Sequence, residues 1–165
     1  MTPHIRWMVR ADMPVVLEIE GRNVQPWTEE EFLRRLRQRN CIGMVAEWNG
    51  KVVGFMVYEL EKFKLVLTNF AVHWRYRRRD VGRAMVEKLK SKLSSCRRTR
   101  ICLAIRESNL RGQLFFRSQG FQAVGVERGW CEATGEDAYA MWYLLPDCEE
   151  YSGELCNRIA QYLEE

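Results

Sequence analysis

The sequence predicts one α/β (α+β) domain: a mixed, mostly antiparallel seven-stranded sheet flanked by helices, with an extra C-terminal helix. Three observations carry this expectation. Strand-like and helix-like segments alternate in the order β-α-α-β-β-β-α-β-α-β-β before a final helix. A strand-helix-strand unit over 64–106 demands one parallel pair, because parallel neighbours need a long crossover. Asn49-Gly50, set between two apolar runs, is the strongest short hairpin signal. The chain has 165 residues, 47% hydrophobic and 29% charged, a globular composition. At this length roughly 70% of the unfolded surface is buried, so no disulfide is needed. The expected division is a domain over 1–146 and an acidic helical tail over 147–165.

Each element has a local reason. Ile5–Arg10 reads as a strand. Asp12 then stands as an N-cap with Pro14 in the first turn and Val15, Val16 and Ile19 on an apolar face. Gln25-Pro26-Trp27 breaks that helix. Thr28-Glu29-Glu30-Glu31 is a capping box opening a second helix to about Gln38, with Phe32, Leu33 and Leu36 inward. Ile42–Trp48 and Lys51–Leu60 are strands. Lys64–His73 is apolar enough for the centre of the sheet. Val81–Leu93 is a helix with Val81, Ala84, Met85 and Leu89 on one face. Arg100–Arg106 is a strand, and Asn109–Gln119 a helix closed by Gly120. Phe121–Arg128 and Asp137–Leu145 are the last strands, stopped by Pro146. Ser152–Leu163 reads as an amphipathic helix carrying Leu155, Ile159 and Leu163.

Composition excludes several classes. No run of 18 apolar residues is present, so no transmembrane helix is expected. The N-terminus lacks an apolar core, so no secretory signal is expected and the cytoplasm is the expected location. Cys41, Cys96, Cys102, Cys131, Cys148 and Cys156 form no C-x-x-C pair, and His4 and His73 are the only histidines. Reduced thiols and no metal site are the expectation.

Charge is uneven. Between Arg75 and Arg100, eleven basic residues face only Asp80 and Glu87, whereas from Asp147 onward six acids face only Arg158. The middle of the chain attracts anions. There an apolar strand, Thr68-Asn69-Phe70-Ala71-Val72, runs through Arg77-Arg78-Arg79-Asp80 into the helix at Val81-Gly82-Arg83-Ala84. A helix N-terminus has free N–H groups and a positive dipole end, and arginines add charge-assisted bonds. A solvated basic face explains the same residues, so the motif alone leaves both readings open. The glycine pattern is neither a P-loop nor a dinucleotide fingerprint.

This stretch resembles the acetyl-CoA-binding motif of the GCN5-related N-acetyltransferase (GNAT) family, Gln/Arg-x-x-Gly-x-Gly/Ala, with Arg77 and Gly82 in its first and last positions. The resemblance extends in order and spacing over about 5–146. It is nearest to the ribosomal-protein-alanine (RimI-type) group through Pro26-Trp27-Thr28-Glu29, Arg106-Glu107-Ser108-Asn109 and Glu136-Asp137-Ala138. It implies that Phe70, Ala71 and Val72 meet the pantetheine arm and thioester of acetyl-CoA. Arg77, Arg78, Arg79, Asp80, Val81, Gly82, Arg83 and Ala84 would surround the pyrophosphate, and Asn109 and Phe116 would lie beside the coenzyme. Trp27, Glu136, Asp137 and Tyr139 would flank a protein or peptide acceptor, such as a ribosomal-protein N-terminus.

Three positions depart from the family pattern. Asp80 replaces the first motif glycine: it is either a helix cap or a charge repelling the pyrophosphate. Ala104 stands where RimI-type enzymes place a glutamate base, and Phe116 where they place a tyrosine acid. No substitute base is named: the resemblance implies that His73 points toward the coenzyme loop, and Glu59, Glu107, Glu136 and Tyr139 read as surface or packing residues. Three functions follow. The first is an N-acetyltransferase in which an N-terminal amine attacks the thioester directly and main-chain N–H near Val72 stabilises the oxyanion. The second is a catalytically weak or inactive acetyl-CoA-binding regulatory module. The third, a nucleic-acid binder, is the weakest, because the arginines sit where a coenzyme motif needs them. A monomer or weak homodimer is expected, the C-terminal helix packing on its own domain, on a second copy or in trans.

Overall fold

A computed structural model describes residues 2–146. The helix expected over Ser152–Leu163, with Cys148 and Cys156, lies outside the described residues. Seven strands form one sheet: β1 (His4–Trp7), β2 (Cys41–Trp48), β3 (Lys51–Leu60), β4 (Lys64–Val72), β5 (Arg100–Arg106), β6 (Gln122–Glu127) and β7 (Ala138–Leu144). Their spatial order is β1-β2-β3-β4-β5-β7-β6, so β4 is central, as its apolar run implied. Among the described strands only the β4–β5 pair is parallel. The helices are α1 (Met13–Glu20), α2 (Glu29–Leu36), α3 (Val81–Lys90) and α4 (Leu110–Ser118).

The two faces carry separate cores. Met13, Val16 and Ile19 of α1 and Phe32 of α2 pack with Val45, Phe55 and Val57 on one face. Val81, Met85, Val86 and Leu89 of α3 and Phe116 of α4 pack with Met56, Leu65, Ile101 and Ile105 on the other. Burying these side chains is the main stabilising term of the fold. The hairpin turn forms as its dipeptide predicts, with Asn49 at φ 51° and Gly50 at φ 76°, the left-handed pair of a type I′ turn. Among the described residues no helix is long and apolar enough to cross a membrane.

Several boundaries move. β1 ends at Trp7, because a one-turn 3₁₀ segment, Arg10–Asp12, follows it. Asp12 precedes α1 but makes no side-chain cap bond. Its carboxylate turns back to accept from Val9 N–H at 2.8 Å and from both terminal nitrogens of Arg6, each at 2.8 Å. Helix α2 stops at Leu36, not Gln38, and α3 at Lys90, not Leu93. Thr28 caps α2 through Oγ1, which accepts from Glu31 N–H at 3.2 Å.

Candidate functional site

A cleft opens in the middle of the sheet. β4 and β5 pair only where they begin, at Lys64–Arg100, Leu65–Ile101 and Val66–Cys102. Beyond that point β4 stays with β3 and β5 stays with β7. A bulge bends β4 here: Val57 faces Asn69 while Tyr58 faces Leu67, leaving Thr68 extra. Thr68 Oγ1 donates to the Val57 carbonyl at 3.0 Å and fixes the bulge. No ladder joins Leu67–Val72 to Leu103–Arg106. Their facing main-chain groups form an inner edge on which an extended ligand arm can pair.

The basic turn stands where β4 passes into α3. Arg77, Arg78, Arg79 and Asp80 are all exposed. Arg78 at φ 62° and Asp80 at φ 61° are both left-handed. The first main-chain bond of α3 runs from Ala84 N–H to the Asp80 carbonyl. Among the described residues the N–H groups of Val81, Gly82 and Arg83 have no main-chain acceptor, and a left-handed residue ahead of them gathers such donors into an anion-binding concavity. Asp80 is at the N-cap position, yet its carboxylate makes no cap bond. The capping reading therefore fails. Its left-handed backbone explains why the motif has glycine there, and aspartate is among the few residues that tolerate it.

Gly82 has a packing reason. A Cβ there would lie 3.0 Å from Phe115 Cζ, so the glycine lets α3 sit on α4. The rings of Phe70 and Phe116 meet edge-on with centroids 5.3 Å apart, and Phe115 and Phe121 extend the cluster at 5.0 and 5.2 Å from Phe116. These contacts join β4 to α4 across the gap left by the missing ladder. Phe116 is 6% exposed. Asn109 caps α4: its Oδ1 accepts from Gly112 N–H at 3.0 Å.

Ala104 lies on the opposite face, the one that carries α1 and α2. It faces Ala140 of β7, which faces Gly125 of β6. This strip holds no titratable side chain. The expected acceptor residues are divided. Trp27 packs edge-on against Phe32 at 5.1 Å, with the Arg35 guanidinium 4.2 Å over its ring. Glu136 accepts from Arg106 Nη1 at 3.3 Å, Ser108 N–H at 3.2 Å and Thr134 Oγ1 at 3.1 Å. Hydrogen bonds from Ser108 and Thr134, together with Arg106, hold its carboxyl below the usual range. Asp137 accepts from Gly129 N–H at 2.8 Å and Arg128 Nη1 at 2.7 Å, and these bonds lower its carboxyl likewise. Both carboxylates are thus used to fold their own loop. Tyr139 faces Ile105 and packs on the α3–α4 core, away from the other three. The loop between α1 and α2 does meet the loop between β6 and β7, where Cys131 Sγ donates to Gln25 Oε1 at 3.6 Å.

Sequence patterning did not single out Glu20, the last residue of α1. It is 1% exposed and hydrogen-bonded to Asn69 of β4. Its position beside Ile19 and four residues after Val16, on the apolar stripe of α1, was the available signal.

Comparison with known proteins agrees with this architecture. The profile of the acetyltransferase (GNAT) family matches residues 5–121. The chain is 29% identical over 133 residues to the [ribosomal protein bS18]-alanine N-acetyltransferase of Escherichia coli K12, covering 79% of this chain and 89% of that protein. It is 28% identical over 141 residues to the N-alpha-acetyltransferase RimI of Mycobacterium tuberculosis, covering 81% and 87%. The crystal structure of the ribosomal-protein-S18-alanine N-acetyltransferase from Escherichia coli superposes with a TM-score of 0.77 at 26% identity, over 87% of this chain and 94% of that one. Ard1 from Thermoplasma volcanium shares the fold at a TM-score of 0.80 and 24% identity, over 88% and 99%. With the profile spanning most of the domain and the split sheet leading to a basic helix start, this chain belongs to the acetyltransferase (GNAT) family.

Proposed function

We propose that this protein transfers the acetyl group of acetyl-CoA to the α-amine of a protein N-terminus, and that ribosomal-protein N-termini, which name its relatives, are the first acceptors to test. One observation carries the reading: the inner edge between β4 and β5 leads to the free amides of Val81, Gly82 and Arg83. That geometry fits an extended arm ending in a diphosphate. The amides and the guanidinium groups of Arg77, Arg78 and Arg79 would hold the diphosphate, and Phe70–Val72 the arm. The exposed Asp80 carboxylate opposes this charge. Acetyl-CoA supplies an activated thioester when bound.

The residues at positions 104 and 116 narrow the acceptor. Neither Ala104 nor Phe116 can take or give a proton. An α-amine of pKa about 7.7–8.0 is already roughly a tenth neutral at pH 7, whereas a lysine amine at about 10.4 is neutral only about once in 2,500, a cost of roughly 4–5 kcal/mol. A site that works by proximity and orientation favours the α-amine. The test is free-thiol release from acetyl-CoA with an Ala- or Ser-initiated basic peptide, with the acetylated product identified by mass. Release is expected for the peptide α-amine and not for a lysine side chain. The apolar pair Ala104 and Phe116 favours a second reading, a non-catalytic acetyl-CoA-binding module. Absent release with a coenzyme-dependent rise in melting temperature selects it. No rise with millimolar acetyl-CoA defeats both.

A further inference from the structure

We infer that Glu20 is a positioning residue: its buried carboxylate clamps the acceptor-side loop between α1 and α2 onto the free stretch of β4, and so fixes the gap through which an amine approaches. The assignment of β4 as the donor strand rests on the function proposed above.

The carboxylate is held by three donors. Its Oε2 accepts from Asn69 Nδ2 at 2.9 Å. Its Oε1 accepts from the Trp27 main-chain N–H at 3.1 Å and from Asn23 Nδ2 at 3.3 Å. No cation pairs with it among the described residues. A buried carboxylate without a counter-ion is tolerated only while hydrogen bonds replace its water. Burial pushes its pKa up, and the bonds from Trp27, Asn69 and Asn23 oppose that shift. Moving the loop strips the charge of a partner, so the energy of one ionised group holds three places together: the end of α1, the loop at 23–27, and Asn69.

Its location gives the clamp a role beyond stability. Counting onward from the last paired residues, Val66 and Cys102, brings Asn69 and Ala104 to about the same level on opposite banks of the cleft. Both lie on the face that carries α1 and α2. The clamp therefore stands beside the reacting level, not at the periphery. A second strap holds the same loop: the Arg22 guanidinium lies 3.6 Å from the centre of the Trp74 ring, which stacks on His73 at 3.8 Å, just beyond β4.

The experiment uses the full chain with Glu20→Gln, Asn69→Asp and the pair of changes together. In Glu20→Gln the charge is lost, and the bond to position 69 is kept once the Asn69 amide turns its Oδ1 toward the new Nε2; in Asn69→Asp two carboxylates face each other. In the pair, the amide introduced at position 20 donates to the carboxylate introduced at position 69, while the amide carbonyl still accepts from Trp27, and the net charge is unchanged. Asn69→Asp is expected to raise the KM for the acceptor peptide about tenfold or more and Glu20→Gln by less, with a smaller change for acetyl-CoA, and the pair to recover to within about threefold. Hydrogen exchange at the Trp27 amide, measured without substrate, should quicken about tenfold in Asn69→Asp and slow again in the pair. Single changes that lower the melting temperature but leave acceptor KM and Trp27 exchange untouched overturn the inference, as does a pair no better than its worse member. Should Asn69→Asp not fold, Asn69→Ala removes one donor, and an unchanged acceptor KM is then the overturning result. If the wild-type chain shows no turnover, the proposed function fails on its own, while Trp27 exchange and calorimetric peptide binding still decide the clamp.

Discussion

Three side chains bear most directly on the proposed function. Ala104 is small, half-exposed and bordered by Ala140, so a carboxylate fits there without displacing a partner. General base catalysis is typically worth 10²–10⁴-fold. On the proposed function, Ala104→Glu is expected to raise thiol release with an N-terminal peptide by about 10–100-fold, the lower range reflecting a phenylalanine at 116 that has no proton to donate. An unchanged rate places the acceptor elsewhere. Asp80 is the second. Left-handed backbone costs a non-glycine residue roughly 1 kcal/mol, and its carboxylate stands beside free amides. Asp80→Gly should raise stability by up to about 1 kcal/mol and tighten acetyl-CoA in calorimetry, whereas Asp80→Ala, which puts a residue less tolerant of left-handed backbone at the same φ, should lower stability. Opposite signs for the two variants are the signature to look for. Phe116 is the third: it serves as the hub of the aromatic contact joining β4 to α4.

At the scale of elements, glycines mark where helices press on strands. A Cβ at Gly112 would clash with Ile105 Cδ1 and lie 2.9 Å from Asn109 Nδ2. Gly112→Ala gains up to about 1 kcal/mol of helix propensity but must lift α4 from β5 and disturb its cap, so a net loss of about 1–2 kcal/mol in urea denaturation is expected. Ile105→Val removes the clashing methyl and should return part of that loss. This pairing tests how closely α4 seats on β5, which sets one bank of the cleft.

Whole-molecule stability depends on buried ions of opposite behaviour. Arg6 bonds to Asp12 and Glu47 and so ties the edge strand β1, the 3₁₀ turn and β2 together. The Arg6 bond holds the Asp12 carboxyl below its ordinary 3.8. Its stabilisation is full above that value and is lost as pH falls through the lower folded value. Glu20 has the reverse sign. Its folded pKa is raised above the ordinary 4.5, so stability falls as pH rises from there through the folded value. Urea denaturation across pH 3–7 should show a shallower acid limb for Asp12→Asn, which also costs roughly 1–3 kcal/mol at neutral pH. A limb identical to wild type assigns the acid transition to other carboxylates.

Much of the architecture was legible because its causes are local. Periodicity, the Asn49-Gly50 turn and the Thr28 cap act within a few residues, so the element order, the hairpin and the central place of β4 could be read directly. The basic turn before Val81 was legible for the same reason. What only the tertiary structure decided depends on partners far apart in the chain. The extra residue at Thr68 changes which side chains of β4 face α1, and through that brings Asn69 to Glu20, 49 positions away. One inserted residue exchanges the faces of a strand, and no local pattern announces it. That Glu136 and Asp137 also hold their own loop together was likewise not legible, because the Ser108 amide that Glu136 binds comes from 28 positions away.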